Sequence, residues 1–314
     1  MLSLVIPVYK NEENLDRLLS ELVRLQERIA GGLEVVFVVD GSPDRCHAIL
    51  SERLPSIPIR AQLLLLSRNF GSFSAIAAGL AYGKGDYFAV LAADLQEPPE
   101  LILELFALLS NDEADVAFGV RSGRSDPYFS GLFSTTFWRL YRRLVVPDMP
   151  PGGVDVFGCN RMVRDRLLSL REVNTNLIAL LFWLGYRRRF VSYVRQPRLE
   201  GKSAWTLQKK LRYSFDSVFN FTDLPIRILL TAGVLGATSA LVIGVVVLVF
   251  KLAGRIQVLG YTPLILTITF FGGLTALGLG IIGQYLWLTL ENTRQHPQYL
   301  VQYSASYHPE QCGE

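Results

Sequence analysis

The sequence predicts an α/β domain built on a mainly parallel sheet, followed by two membrane-spanning helices. Three observations lead there. From Met1 to about Gly119, short apolar runs alternate with segments of helical periodicity, the pattern of strands laid side by side with helices on both faces. A polar cluster follows nearly every apolar run. Towards the other end, 228–250 and 256–290 carry no charged residue, and ~20 apolar residues suffice to cross a bilayer.

The elements follow in order. Leu2 to Val8 is the first strand, and Leu15, Leu18, Leu19, Leu22 and Ile29 recur at helical spacing behind Asn11-Glu12-Glu13-Asn14, which offers caps and first-turn acids. Leu33 to Val39 is the second strand, ending in the turn Asp40-Gly41-Ser42-Pro43-Asp44. Leu63 to Leu66 runs into Ser67-Arg68-Asn69-Phe70-Gly71 and then a helix of small residues, Ser72 to Ala81. A glycine turn at 83–85 precedes an apolar strand that delivers Asp94, and Pro98-Pro99-Glu100 opens a helix carrying Leu101, Leu103, Leu105 and Phe106. Ala114 to Phe118 closes the strand series.

A different segment comes next. Phe129, Leu132, Phe133, Thr136, Phe137, Leu140, Tyr141 and Leu144 form a stripe at three- and four-residue steps flanked by Arg139, Arg142 and Arg143. Such a helix over about 128–146 suits a membrane interface, and equally a surface helix packed on the domain. Trp205, Leu211, Phe215, Val218 and Phe219 with Lys209, Lys210 and Arg212 repeat the pattern just ahead of the first span. The expected organisation is therefore a domain over 1–205, a juxtamembrane helix over 206–223, two spans within 224–292 (about 226–252 and 260–290), and a tail over 293–314.

Composition narrows the class. Half of the 314 residues are apolar, the formal charge of +3 is too small to argue for nucleic acid, and basic residues crowd the span boundaries. Lys209, Lys210, Arg212 and Arg227 precede the first span and Arg294 follows the second, while Lys251 and Arg255 lie between; the balance favours a cytoplasmic domain and C-terminus. Met1 to Val8 runs straight into a strand, so no signal peptide is expected. Cys46, Cys159 and Cys312 are too scattered for a metal set and read as reduced thiols, and His47, His296 and His308 form no triad or metal cluster.

The polar clusters at 7–13, 40–44, 67–71 and 94–96 fall at successive strand ends, where ligands bind in open α/β sheets. Any one of them could be a cap or turn alone. Asp94 with Gln96 is an oxygen-only donor pair, which suits Mg²⁺ or Mn²⁺ completed by substrate phosphates and points to a nucleoside diphosphate. Neither a Walker A sequence nor Gly-x-Gly-x-x-Gly occurs.

In order and spacing, Pro7-Val8-Tyr9, Val39-Asp40-Gly41-Ser42, Ser67-Arg68-Asn69-Phe70-Gly71, Ala93-Asp94-Leu95-Gln96-Glu97-Pro98-Pro99-Glu100 and Gly119-Val120-Arg121 resemble the family 2 glycosyltransferases. With the apolar C-terminal segments, the chain is similar over nearly its whole length to the bacterial polyprenyl-phosphate glycosyltransferases, relatives of dolichol-phosphate mannose synthase. The resemblance implies a GT-A fold, a nucleotide-sugar donor, most often a UDP-sugar, undecaprenyl phosphate as acceptor, and a place in the bacterial cytoplasmic membrane. It implies that Pro7, Tyr9 and Asp40 hold the nucleobase and ribose, with Glu12, Ser42, Arg68, Asn69 and Ala93 completing the donor site. Asp94 and Gln96 would reach the metal, Asp155 in Gly153-Val154-Asp155 would lie near the reacting centre, and Arg121, Arg139, Arg142, Arg143, Arg198 and Lys202 would face the lipid phosphate. A lipid-linked product for cell-envelope glycans implies a flippase and a second glycosyltransferase as partners, and leaves a homo-oligomer open.

Several positions depart from the family. Ala92 stands where a second acid is usual, Lys10-Asn11 where Asn-Glu is usual, Val39 where the first of two acids is usual, and Ala204 where a lysine follows the serine of 198–205. Two other readings stay open. A polysaccharide synthase acting on a sugar hydroxyl would need more spans and a Gln-x-x-Arg-Trp sequence, and a catalytically silent lipid-binding scaffold is the reading that Ala92 suggests.

Overall fold

The structure, a computed structural model, describes residues 1–29, 31–121, 148–150, 153–154, 156–170, 177–196, 224–253, 261–294 and 296–308. The chain divides into two units, Met1–Thr206 with Pro297–Glu314, and Leu207–His296.

The first unit is built on an eight-stranded sheet. β1 (Leu2–Val8), β2 (Leu33–Val39), β3 (Arg60–Leu66) and β4 (Tyr87–Val90) are parallel, in the order β4-β1-β2-β3. Every residue of β2 is buried, as are six of the seven in β1. Strands covered on both faces have to be continuously apolar, and these are. α1 (Leu15–Arg28), α2 (Cys46–Arg53) and α3 (Ser72–Tyr82) connect them, and α4 (Pro99–Ser110) leads on from β4. The small residues of α3 let it approach closely: a Cβ on Gly79 would stand 2.2 Å from Val5 Cγ1 of β1.

Beyond β4 the sheet continues through β6 (Val156–Asn160), antiparallel to both β4 and β5 (Val116–Arg121), and ends at β7 (Arg188–Tyr193), parallel to β5. The series expected to close at Phe118 thus gains two strands, with α5 (Arg161–Ser169) and α6 (Leu177–Trp183) between them. Because β6 is antiparallel to its two neighbours, β5 and β7 run in the direction of β1–β4, and their carboxyl ends share one edge.

Arg187 locks this extension. Its guanidinium donates to both Asp115 oxygens at 3.1 Å, and Asn160 donates to Asp115 Oδ1 at 3.0 Å. Hydrogen bonds from the Arg187 side chain hold the Asp115 carboxyl below the usual carboxylate range, against the opposing effect of burial. A carboxylate with a depressed native pKa stabilises the fold above its ordinary unfolded value of ~3.9, and that contribution is lost as pH falls through its lower folded value. Asp115→Asn should therefore lower the melting temperature at neutral pH, and the gap to the parent should close as melts are repeated below about pH 4.

The segment 293–314, expected as a tail, supplies β8 (Val301–Tyr307), which pairs antiparallel with β3 from Ala61↔Tyr307 to Leu66↔Val301. Val301, Ala305 and Tyr307 are its half-buried residues, spaced in steps of two or four. The Ser67 N–H continues the ladder to Leu300 O at 2.9 Å, so β8 also seats the loop that leaves β3. Without β8 the edge of β3 would be a template for intermolecular pairing. A chain ending at His296 should shift from a discrete peak to aggregate in size-exclusion chromatography.

The second unit contains α7 (Leu224–Leu252) and α8 (Tyr261–Arg294). Among the described residues one stretch, Phe270–Leu290, is long and apolar enough to cross a membrane by length and composition. Leu264, Ile268, Phe270, Leu277, Leu279 and Leu286 are exposed rather than packed in a core.

Candidate functional site

At the amino edge of the sheet, polar side chains satisfy one another. Glu34 is buried and accepts from Ser3 Oγ at 2.6 Å, Gln62 Nε2 at 2.8 Å and Lys84 N at 2.7 Å. At the carboxyl edge the polar clusters emerge together, and there three loops assemble into one surface.

The β1 and β2 loops are stitched to each other. Lys10 N donates to Ser42 Oγ at 2.8 Å, Ser42 Oγ donates to Asp44 Oδ1 at 2.6 Å, and Arg45 N donates to Glu12 Oε2 at 2.9 Å. Burial pushes Asp44 up, but hydrogen bonds from Ser42 and Cys46 outweigh it and leave the carboxyl below its usual range. Burial pushes the Cys46 and Cys159 thiols up to about 12, so neither is a nucleophile at neutral pH.

The β2 and β3 loops are joined through Asp40. It is buried, and its two oxygens accept from Phe70 N at 2.7 Å and Gly71 N at 2.9 Å, the backbone entering α3. Asn69 Nδ2 donates to the Asp40 carbonyl at 3.2 Å. Burial raises the Asp40 pKa, opposed by the two N–H donors and by Arg68. Both carboxylate oxygens of Asp40 are thus engaged by backbone. Gly41 permits the contact: it sits at φ +55°, and a Cβ there would lie 2.3 Å from the Arg68 carbonyl carbon. Arg68 and Asn69 are exposed, with the Arg68 guanidinium over the Phe70 ring at 4.1 Å.

The fourth strand end carries Ala93, buried, and the half-buried Asp94, followed by Leu95 at φ +52°. A left-handed leucine costs roughly 1 kcal/mol and persists only where its surroundings over-determine it. Here the buried Leu95 side chain belongs to the core, the Leu95 N–H reaches Ala92 O at 3.4 Å, and Gln96 N reaches Asp94 Oδ1 at 3.4 Å. Lys10, in the β1 loop, is also left-handed at φ +55°. Strained non-glycine backbone on two loops of one edge is the pattern of a functional surface.

Arg195 and Gln196, just past β7, complete this corner. Arg195 Nη2 is 2.5 Å from Gln96 Oε1, and Arg195 Nε lies 3.9 Å from Oε1 of the buried Glu97. Gln196 N donates to the Gln96 carbonyl at 2.8 Å. The sequence reading missed both residues. Their signal was a strand running into polar residues and a proline, the same form as Asp94-Leu95-Gln96-Glu97-Pro98. Arg121, at the end of β5, is half-buried on this edge. Asp155, Arg139, Arg142, Arg143, Arg198 and Lys202 lie outside the described residues.

The donor chemistry here fits a hard divalent cation. Asp94 offers a carboxylate and Gln96 an amide oxygen, the latter engaged by the Arg195 guanidinium. Among the described residues no group of three His, Cys, Asp or Glu converges. A site with so few protein ligands is the kind that Mg²⁺ or Mn²⁺ fills with phosphate and water oxygens.

The profile of the family described as "Glycosyl transferase family 2" matches residues 3–170. The chain belongs to this family. It is a glycosyltransferase, and its mostly parallel sheet flanked by helices is the GT-A arrangement. Among family 2 relatives, the uncharacterized glycosyltransferase YkcC of Bacillus subtilis (strain 168) is 33% identical, covering 96% of this chain and 93% of that protein. The uncharacterized glycosyltransferase sll0501 of Synechocystis sp. is 31% identical, covering 96% and 94%. A prophage bactoprenol glucosyl transferase homolog of Escherichia coli (strain K12) is 28% identical, covering 96% and 98%. Among solved glycosyltransferase structures, mannosyl-3-phosphoglycerate synthase from Rubrobacter xylanophilus aligns at 15% identity with a TM-score of 0.48, covering 82% of this chain and 76% of that one.

Proposed function

We propose that this glycosyltransferase moves a sugar, with inversion, from a UDP-sugar to undecaprenyl phosphate at the cytoplasmic face of a bacterial membrane. The observation that carries the reading is the placement of the Asp94-Leu95-Gln96 turn, with its carboxylate and amide oxygens, on the same sheet edge as the β1, β2 and β3 loops. The printed name of the Escherichia coli relative, a bactoprenol glucosyl transferase homolog, supports the acceptor.

The chain's course supports membrane attachment. It leaves the first unit at Thr206 and rejoins it at Pro297, so a helical unit embedded in a bilayer must cross it an even number of times. Two crossings, by α7 and α8 at 29 and 34 residues, agree with that count. The unpacked apolar surface of α8 is suited to lipid.

In this reading, Pro7, Tyr9, Glu12, Asp40, Ser42, Arg68, Asn69 and Ala93 form the nucleotide surface. Asp40 also ties that surface to the α3 entrance through Phe70 N and Gly71 N, one N–H on each oxygen, which leaves lone pairs for the donor. Asp94 and Gln96 would hold a divalent ion, which would neutralise the diphosphate. Arg121 with Arg139, Arg142, Arg143, Arg198 and Lys202 holds the lipid phosphate, the planar arginine fork matching its oxygens. A phosphate monoester with a second pKa of ~6 is mostly ionised at neutral pH, so its oxygen attacks the anomeric carbon without deprotonation by the protein. The new carbon–oxygen bond forms as the bond to the diphosphate breaks, and UDP departs with the electron pair. The family resemblance assigns Asp155 to the reacting centre, and an α-linked donor gives a β-linked lipid sugar.

The test is a screen of radiolabelled nucleotide sugars with undecaprenyl phosphate and purified full-length protein. Organic-extractable label from one donor, with equimolar nucleoside diphosphate released, is the expected result. No transfer from any common donor, despite measured binding of donor and lipid, overturns the proposal. A silent scaffold, the reading that Ala92 favours, predicts UDP binding unaffected by Mn²⁺.

A further inference from the structure

Gln96 and Arg195 belong to opposite sides of the sheet's extension, with β6 and β5 between the strands that carry them. Their contact has a built character. Nη2 of Arg195 rests on Gln96 Oε1 at 2.5 Å, its Nε faces Glu97 Oε1 at 3.9 Å, and backbone holds the two loops together through Gln196 N to Gln96 O at 2.8 Å. Gln96 Nε2 turns to Gln196 O at 3.4 Å, which orients the amide so that its oxygen meets the guanidinium. Glu97 is 2% exposed, and a carboxylate so buried keeps a cation beside it.

We infer that Arg195 is a resident counter-cation that exchanges places with the divalent ion. This rests on the reading of Asp94 and Gln96 as the metal and diphosphate site. A guanidinium and a dication compete for Gln96 Oε1, because they repel at that range. An ion arriving alone must displace the arginine. An ion arriving with a diphosphate need not leave it stranded, since the diphosphate offers the fork two oxygens in a plane. Arg195 thereby makes the binding of metal and donor mutually dependent, and by linkage each tightens the other by the same factor. Ala92 sharpens the effect: with one fewer acid at the turn, the lone ion competes less strongly for Gln96. Glu97 confines the exchange to a change of side-chain conformation.

The test is Mn²⁺ titration of the full-length protein in detergent, following the paramagnetic resonance of free Mn²⁺ with and without UDP. In the parent, UDP should tighten Mn²⁺ binding. In Arg195→Ala and Arg195→Gln, Mn²⁺ alone should bind about tenfold tighter and the tightening by UDP should shrink about tenfold, the scale of one lost charge-assisted hydrogen bond. Arg195→Lys, keeping the charge without the fork, should bind Mn²⁺ alone as weakly as the parent yet show reduced tightening by UDP; it decides the matter if the neutral variants fail to fold. Parent-like Mn²⁺ affinity and parent-like tightening in folded variants overturn this inference alone. Absence of Mn²⁺ binding in the parent, with UDP present or not, overturns the metal-site reading as well.

Discussion

Asp94→Ala should reduce sugar transfer by about 10³-fold while leaving the unfolding transition close to that of the parent. Electrostatic stabilisation of a leaving group is commonly the largest catalytic contribution, and deleting one preorganised group costs about 10²–10³ in rate. The upper end applies because Ala92 supplies no second carboxylate to share the load. Stability should change little: Asp94 is half-buried on a turn, while the adjacent Leu95 provides the core anchor. The measurement pairs initial rates of label transfer with thermal unfolding of the same preparations. Asp94→Asn, which keeps the shape and removes the charge, should fall nearly as far. Full activity in either variant would remove Asp94 from the site.

Gly41→Ala should destabilise the fold by about 3 kcal/mol and weaken UDP binding at least about tenfold where the protein remains folded. Two costs add. The residue sits at φ +55°, where an L side chain is strained, and the new Cβ would stand 2.3 Å from the Arg68 carbonyl carbon and 2.5 Å from Asn69 N. Those are backbone atoms, so no rotamer change relieves the clash, and the β3 loop has to move away from the β2 loop. The hydrogen bonds of Asp40 to Phe70 N and Gly71 N span that same gap. Separation would also unseat the start of α3. Urea denaturation gives the stability change, and calorimetric titration with UDP gives the affinity.

The parallel half of the sheet was readable because burial on both faces requires unbroken apolar runs, as in Leu2–Val8 and Leu33–Val39. The helices α1 and α4 were equally plain from their spacing. β8 was not, since Val301, Ala305 and Tyr307 alternate with serine and glutamine and follow a long apolar stretch that draws the eye to the membrane. The site was legible as a row of strand-end clusters, and the parallel register explains why: each such loop must emerge on one edge. Partnerships across that edge were hidden. Gln96 and Arg195 are 99 residues apart, and only the pairing of β5 with β7 brings them to one corner. Asp40 shows another limit: its strand-end position gave no sign that its oxygens also accept from the backbone that starts α3.

The return of the chain to β3 as β8 has a bearing on biogenesis. During synthesis the strand that covers β3 emerges only after the whole of Leu207–His296 has been made. Until then Arg60–Leu66 presents open hydrogen-bonding groups, and the β3 loop lacks the Leu300 carbonyl that receives Ser67 N–H. Domains assemble from the N-terminus as the chain grows, so the sheet is finished last at this border. Completion of the sheet's border, and seating of the β3 loop, are thereby made to wait for the helical unit.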